Sequence, residues 1–180
     1  GDSVEAEKAT IALAEHPGAC YLRIAREKTP IFSTHESPFE IGKAYVLREG
    51  KDVTILSTGI ETPYALKAAQ ALAKDGIDAE VVHVPTVKPL DTKTILMSIK
   101  KTGRAVSCED AQAAGGFGGV IAELLCDEMP APLLRIGIDD RYGESGAPLE
   151  VHKKLGLADD SIAKRTKAFV KKVPSYKPGF

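Results

Sequence analysis

No apolar run in this sequence approaches the ~20 residues needed to cross a bilayer, and neither sign of charge dominates. The chain carries 24 Lys and Arg against 25 Asp and Glu, a formal net charge of −1. The first absence predicts no membrane-spanning helix. The second leaves no electrostatic basis for a nucleic acid or an acidic membrane as partner. The opening residues carry acids and no apolar core segment, so no secretory leader is expected. Cysteine is sparse: Cys20, Cys108 and Cys126 fit no zinc spacing. They read as three buried small thiols of a reducing, cytoplasmic compartment. His16, His35, His83 and His152 are scattered, with no H-E-x-x-H or other ligand spacing, so no metal site is expected. No internal repeat or low-complexity tract is present.

What remains is a globular pattern. At 43% hydrophobic and 27% charged over 180 residues, the chain can build one domain with a real core plus a piece of another. From Lys43 onward two periods alternate. Ala44 to Leu47, Val53 to Ser57, Ala79 to Val84, Ala105 to Cys108 and Leu133 to Ile138 read as strands. Between the later strands lie helical spacings. The first has Thr62 placed to cap, Pro63 at the first helical position and Gly76 at the stop. A second starts at Asp91 and carries Ile95, Leu96 and Ile99; a third carries Val120, Ile121, Leu124 and Leu125. The last follows Asp159-Asp160, with Ile162, Thr166, Phe169, Val170 and Val173 on one stripe.

Strand alternating with helix predicts parallel βαβ units covered on both faces. The loop Arg48-Glu-Gly-Lys-Asp52 joins the first two strands and is short enough for a hairpin, so one strand is expected to run antiparallel. The predicted architecture is α/β, three layers (α/β/α) around a mixed sheet. Residues before the repeat stand apart. Asp2 to Glu15 is a helical pattern with a D-x-x-E start, Ala19 to Ile24 reads as a strand, and Thr29 to Ile41 has two prolines and no periodicity. A lone helix and strand cannot bury a core. Residues 1–29 therefore read as the tail of a preceding domain, 30–41 as a linker and 42–180 as the main domain.

Three motifs invite chemistry. Gly115-Gly116-Phe117-Gly118-Gly119 follows a strand and opens a helix, where backbone amides can hold an anion. It is neither G-x-G-x-x-G nor G-K-[ST], and glycines there also permit close helix–sheet contact. Glu109, Gly115, Gly116 and Gly118 are candidates for an anion or regulatory site. Glu109-Asp110 sits at the carboxyl end of a strand, the edge ligands favour in open α/β sheets, although such a pair also caps loops. Arg23 and Arg26 lie three apart near a strand end, where a planar guanidinium suits phosphate or carboxylate or an interdomain salt bridge. Gly143-Glu-Ser-Gly146 lacks the G-x-S-x-G spacing of a nucleophile elbow.

Five segments in order then resemble the C-terminal part of transketolases: SVEAEKAT with YLRIAREKTP, GKAYVLREGKDVTILSTG, IDAEVVHVPTVKPLD, RAVSCEDAQAAGGFGG and RIGIDDRYGESGAP. The resemblance implies a pyrimidine-domain tail followed by a C-terminal domain with a five-stranded mixed sheet, one strand antiparallel. It implies a homodimeric enzyme moving two-carbon ketol units between sugar phosphates. Thiamine diphosphate and a divalent metal (Mg or Ca) would be bound by domains missing from this chain. The chain itself would hold no cofactor and no catalytic residue, and would serve as a scaffold and dimer-contact domain. The family arginine that grips the substrate phosphate falls on Arg26, with Thr29-Pro30 fixing the alignment. Lys88-Pro-Leu-Asp91 is shared with deoxyxylulose-phosphate synthase and the 2-oxoacid dehydrogenase beta subunit, whereas Asp140 to Gly146 looks more like transketolase. A different reading makes Thr58-Gly59, Glu109-Asp110 and the glycine turn a small-molecule-binding regulatory module.

Overall fold

The computed structural model describes residues 1–26 and 28–176; Glu27 and the last four residues of the expected domain lie outside that range. Its elements are α1 (Ser3–Glu15), β1 (Tyr45–Arg48), β2 (Val53–Ser57), α2 (Glu61–Lys74), β3 (Ala79–His83), α3 (Thr92–Thr102), β4 (Ala105–Gln112), α4 (Phe117–Asp127), β5 (Leu133–Ile138), α5 (Pro148–Lys154) and α6 (Asp159–Lys172). The strands form one sheet in the order β1-β3-β2-β4-β5. β2 is parallel to β3 and β4, and β4 to β5, while β1 is antiparallel to β3.

β2, β3 and the first five residues of β4 are buried on both faces, which is why they read as nearly continuous apolar runs. On one face Val53, Ile55, Val81, Val106 and Ile136 meet Ala65, Ala68, Ala69 and Leu72 of α2 and Ile162 of α6. On the other Leu56, Val82 and Ala105 meet Ile95 and Ile99 of α3 and Phe117, Ile121 and Leu125 of α4. Each such fully buried aliphatic side chain stabilises by about 1.5–3 kcal/mol. This is the three-layer arrangement with a mixed sheet that the pattern predicts.

α3 starts where Asp91 accepts from the Thr94 N–H at 3.1 Å and stops at left-handed Gly103. Its inner face is partly polar: Thr54 Oγ1 lies 2.8 Å from both Ser98 Oγ and Thr102 Oγ1. Ser98 also donates to buried Glu80, which pairs with Lys101. These satisfied buried groups fix the register of α3 on the sheet.

Four expectations fail. β1 and β2 are no hairpin, because β3 lies between them. The four-residue connection, Glu49 to Asp52, spans five Cα–Cα steps and reaches about 17 Å, more than the ~10 Å of two strand spacings, so it crosses the start of β3. There Gly50 rests on the Ala79–Glu80 backbone, and the Lys51 and Asp52 amides donate to the Asp78 carbonyl. Ala19 to Ile24 forms no strand; the five-stranded sheet pairs no described strand with it. Thr62 does not cap α2, whose N-cap is Ile60. Cys20 and Cys126 are exposed and only Cys108 is buried, because Cys126 falls off the apolar stripe of α4 and Cys20 lies outside the core altogether.

Candidate functional site at the carboxyl rim of the sheet

Four parallel strands end on one rim. β2 leads to β3 on one side and β4 leads to β5 on the other, so the ends of β2 and β4 flank the switch point where open α/β sheets take ligands. Thr58-Gly59 and Glu109-Asp110 meet there: a Cβ on Gly59 would stand 3.7 Å from Asp110 Oδ1.

The glycine turn holds an anion, and the anion belongs to the chain. Gly115 is left-handed, with φ 76, and Gly116 is extended as the N-cap of α4. The buried Glu109 carboxylate accepts from the Phe117 N–H at 2.7 Å and the Gly118 N–H at 2.8 Å. A Cβ on Gly116 would overlap that carboxylate, and one on Gly118 would sit 2.6 Å from Ser107 Oγ. Packing and anion binding are thus one arrangement, and an external anion would have to displace Glu109. The spacing of the glycines pointed to the amides but not to which acid fills them.

His83, at the end of β3, is buried. Its Nε2 lies 2.7 Å from Glu5 Oε1 and its Nδ1 2.6 Å from Thr62 Oγ1, which in turn lies 3.0 Å from Ser57 Oγ. The Phe32 ring meets the imidazole edge-on at 5.2 Å. Burial opposes ionisation of Glu5, but His83 and the Gly1 amino group, 2.6 Å from Glu5 Oε2, together hold the carboxyl below its ordinary range. α1 is thereby seated on the rim. Asp2 completes the seat: it caps α1 through the Glu5 N–H at 2.9 Å and accepts from Phe32 N–H (2.8 Å), Ser33 N–H (2.7 Å) and Ser33 Oγ–H (2.7 Å). Against the cost of burial, these four bonds lower the Asp2 pKa to about 2. The D-x-x-E signal found the cap; the second role of each acid depends on tertiary partners that spacing cannot show.

The two arginines separate. The Arg23 guanidinium makes a fork to Asp110, with 2.9 Å bonds to both carboxylate oxygens and a 3.2 Å bond to its carbonyl. Those hydrogen bonds raise the Arg23 pKa further. Arg26 is exposed. Around them Tyr21 is 87% and Ile24 66% exposed, so the described residues 17–26 and 28–31 make an arm with apolar side chains turned outward.

Sequence reasoning missed Glu61 and His152. Glu61, in the first turn of α2, is fully buried, and His152 reaches it from α5, Nε2 to Oε1, at 3.1 Å. The pair is close but poorly aligned: neither Glu61 oxygen nor His152 Nε2 has a hydrogen-bond partner. Tyr64 stacks on the imidazole at 4.5 Å. Burial pushes the Glu61 carboxyl up against the pull of His152. For His152 burial favours the neutral ring, yet Glu61 prevails and raises its pKa. No periodicity marks either residue.

Among the described residues no three or more His, Cys, Asp or Glu side chains converge on a cation site. With the cradle of the glycine turn taken by Glu109, the described residues do not fit a diphosphate bound through a metal.

The model of the transketolase C-terminal domain family matches residues 42–162. The chain is 42% identical over 163 residues to the 6-deoxy-6-sulfo-D-fructose transketolase subunit of a Clostridium strain, covering 91% of this chain and 51% of that protein. It is 32% identical to an apulose-4-phosphate transketolase subunit of Phocaeicola vulgatus, covering 95% and 55%. It superposes with a TM-score of 0.91 and 34% identity on a solved split gene transketolase, described as an inactive beta4 tetramer, covering 95% and 56%. The chain thus spans about half the length of the curated relatives it matches. It belongs to the transketolase family, as a C-terminal domain related to split-gene transketolase subunits.

Proposed function

We propose that this chain is the C-terminal part of a two-part transketolase-type enzyme that moves two-carbon ketol units between sugar phosphates. In this reading residues 1–29 complete the pyrimidine-binding domain, 30–41 link it to the rest, and 42–180 form the C-terminal domain. Thiamine diphosphate and its divalent metal are held by the complementary parts, and Arg26 supplies a bidentate contact to the substrate phosphate. The carrying observation is the match itself: nearly all of this chain aligns with about half of a transketolase subunit. The arm supports it. A strand-like segment with exposed Tyr21, Leu22, Ile24 and Ile31 suits an edge completed by another part of the protein. The solved relative is described as inactive and as a tetramer of one chain type, which favours a lone chain that self-associates without turnover.

The test is reconstitution. Pure chain with thiamine diphosphate and magnesium should transfer no ketol units, and addition of the complementary part should restore transfer. Turnover by the pure chain, or none by the reconstituted pair, would overturn the reading.

A further inference from the structure

The rim binds the arm that carries Arg26. Asp110 lies at the switch point, largely buried, and holds the half-exposed Arg23 by three hydrogen bonds. Arg26 follows three residues later along the arm, a reach of about 10 Å at most. Before the arm, α1 is held by its first turn through Glu5 and His83; ahead of it, Phe32 and Ser33 are fixed by Asp2. Between those anchors the arm touches the rim through Arg23, and no hydrogen bond engages the Arg26 side chain among the described residues. We propose that Asp110 is a positioning residue for substrate phosphate: by holding Arg23, it sets where Arg26 stands. This rests on the proposed role of Arg26.

Two physical effects follow from the clamp. First, pinning the middle of a loop divides it, so each half samples fewer arrangements and Arg26 loses less freedom when phosphate binds. Second, Asp110 neutralises Arg23. The Arg23 fork is then committed to Asp110, and Arg26 is the guanidinium of the arm left to receive the anion. The sheet domain thereby enters substrate selection through one carboxylate.

The experiment uses the complete enzyme and two ketol donors, one phosphorylated and one a short unphosphorylated ketol acid. Asp110→Asn should raise KM for the phosphorylated donor about five- to tenfold with kcat nearly kept, and leave the unphosphorylated donor unchanged. Arg23→Gln should do the same, and the double variant should be no worse than either. The swap Arg23→Asp with Asp110→Arg should recover most of the lost affinity, which a general structural defect would not allow. Melting curves accompany each variant; if Asp110→Asn does not fold, the exposed Arg23→Gln carries the test. Equal effects on both donors, or no recovery in a folded swap, overturn the positioning role. Arg26→Ala distinguishes the two failures. If it is phosphate-selective while Asp110→Asn and Arg23→Gln are not, only the clamp is wrong. If it is not selective, the role of Arg26 falls and the clamp with it.

Discussion

Glu109 shows how a single side chain decides what a motif can do. Its two acceptors match the two amides that the Gly115 to Gly118 turn exposes, so Glu109→Ala leaves both donors buried and unmatched. A loss of about 1–3 kcal/mol is expected, read as a lower urea midpoint. Gly116→Ala should cost about 1–3 kcal/mol by overpacking the same carboxylate. Asp2 gives a pH signature. Its pKa is about 2 in the fold against 3.8 ordinarily, so its contribution is complete above 3.8 and is lost as pH falls toward 2. Asp2→Asn should therefore destabilise by about 2 kcal/mol at neutral pH, with the gap closing in acid unfolding curves. At this scale the sequence named the right residues more often than the right partners. Asp2, Asp91, Gly76 and Gly103 act through neighbours three or four residues away, so spacing revealed Asp2, Asp91 and Gly76. Glu5, Thr62 and Glu109 act across the fold or across a turn, and spacing alone could not choose among their partners.

Among the elements, α5 is the least secured. None of its residues is fully buried, and its chief inward contact is His152 against Glu61 and Tyr64. Cys108 and Asp110 of β4, and Asp159 and Arg165 of α6, add charge or polarity around this cluster, with Arg23 bonded to Asp110 behind it. Both Glu61 and His152 have folded pKa values above their ordinary ones. The folded state therefore holds protons that the unfolded chain releases, and stability falls as pH rises past 4.5 for the acid and past 6.5 for the imidazole. Amide exchange over residues 148–154, corrected for intrinsic rates, should accelerate as pH rises past 6.5. His152→Gln should flatten that dependence; an unchanged slope would remove the pair as its cause. α5 was not visible in the sequence because seven residues with no buried stripe produce no period. β2 and β5, whose apolar runs are bounded by turn residues, were legible to the residue. The order of β1, β2 and β3 was not, since loop length permits either a hairpin or a crossing and only the long-range pairing of β1 with β3 decides.

For the whole molecule the question is which surfaces belong to this chain alone. The two faces of the sheet are closed, whereas the arm is open and apolar. Changing Tyr21 and Ile24 to serine should leave the melting temperature within about 2 °C, because neither side chain is buried. The same change should weaken association with the complementary part at least about tenfold, measured by titration calorimetry. A large loss of folding stability would mean that the arm packs on the body instead. The arm resembles a handle whose mountings are riveted: the first turn of α1, through Glu5 and His83, on one side, and Ser33, through Asp2, on the other. A partner grasping it meets a segment whose flanks are already held, and so should dock at a rate set by diffusion and orientation, with no slow ordering step.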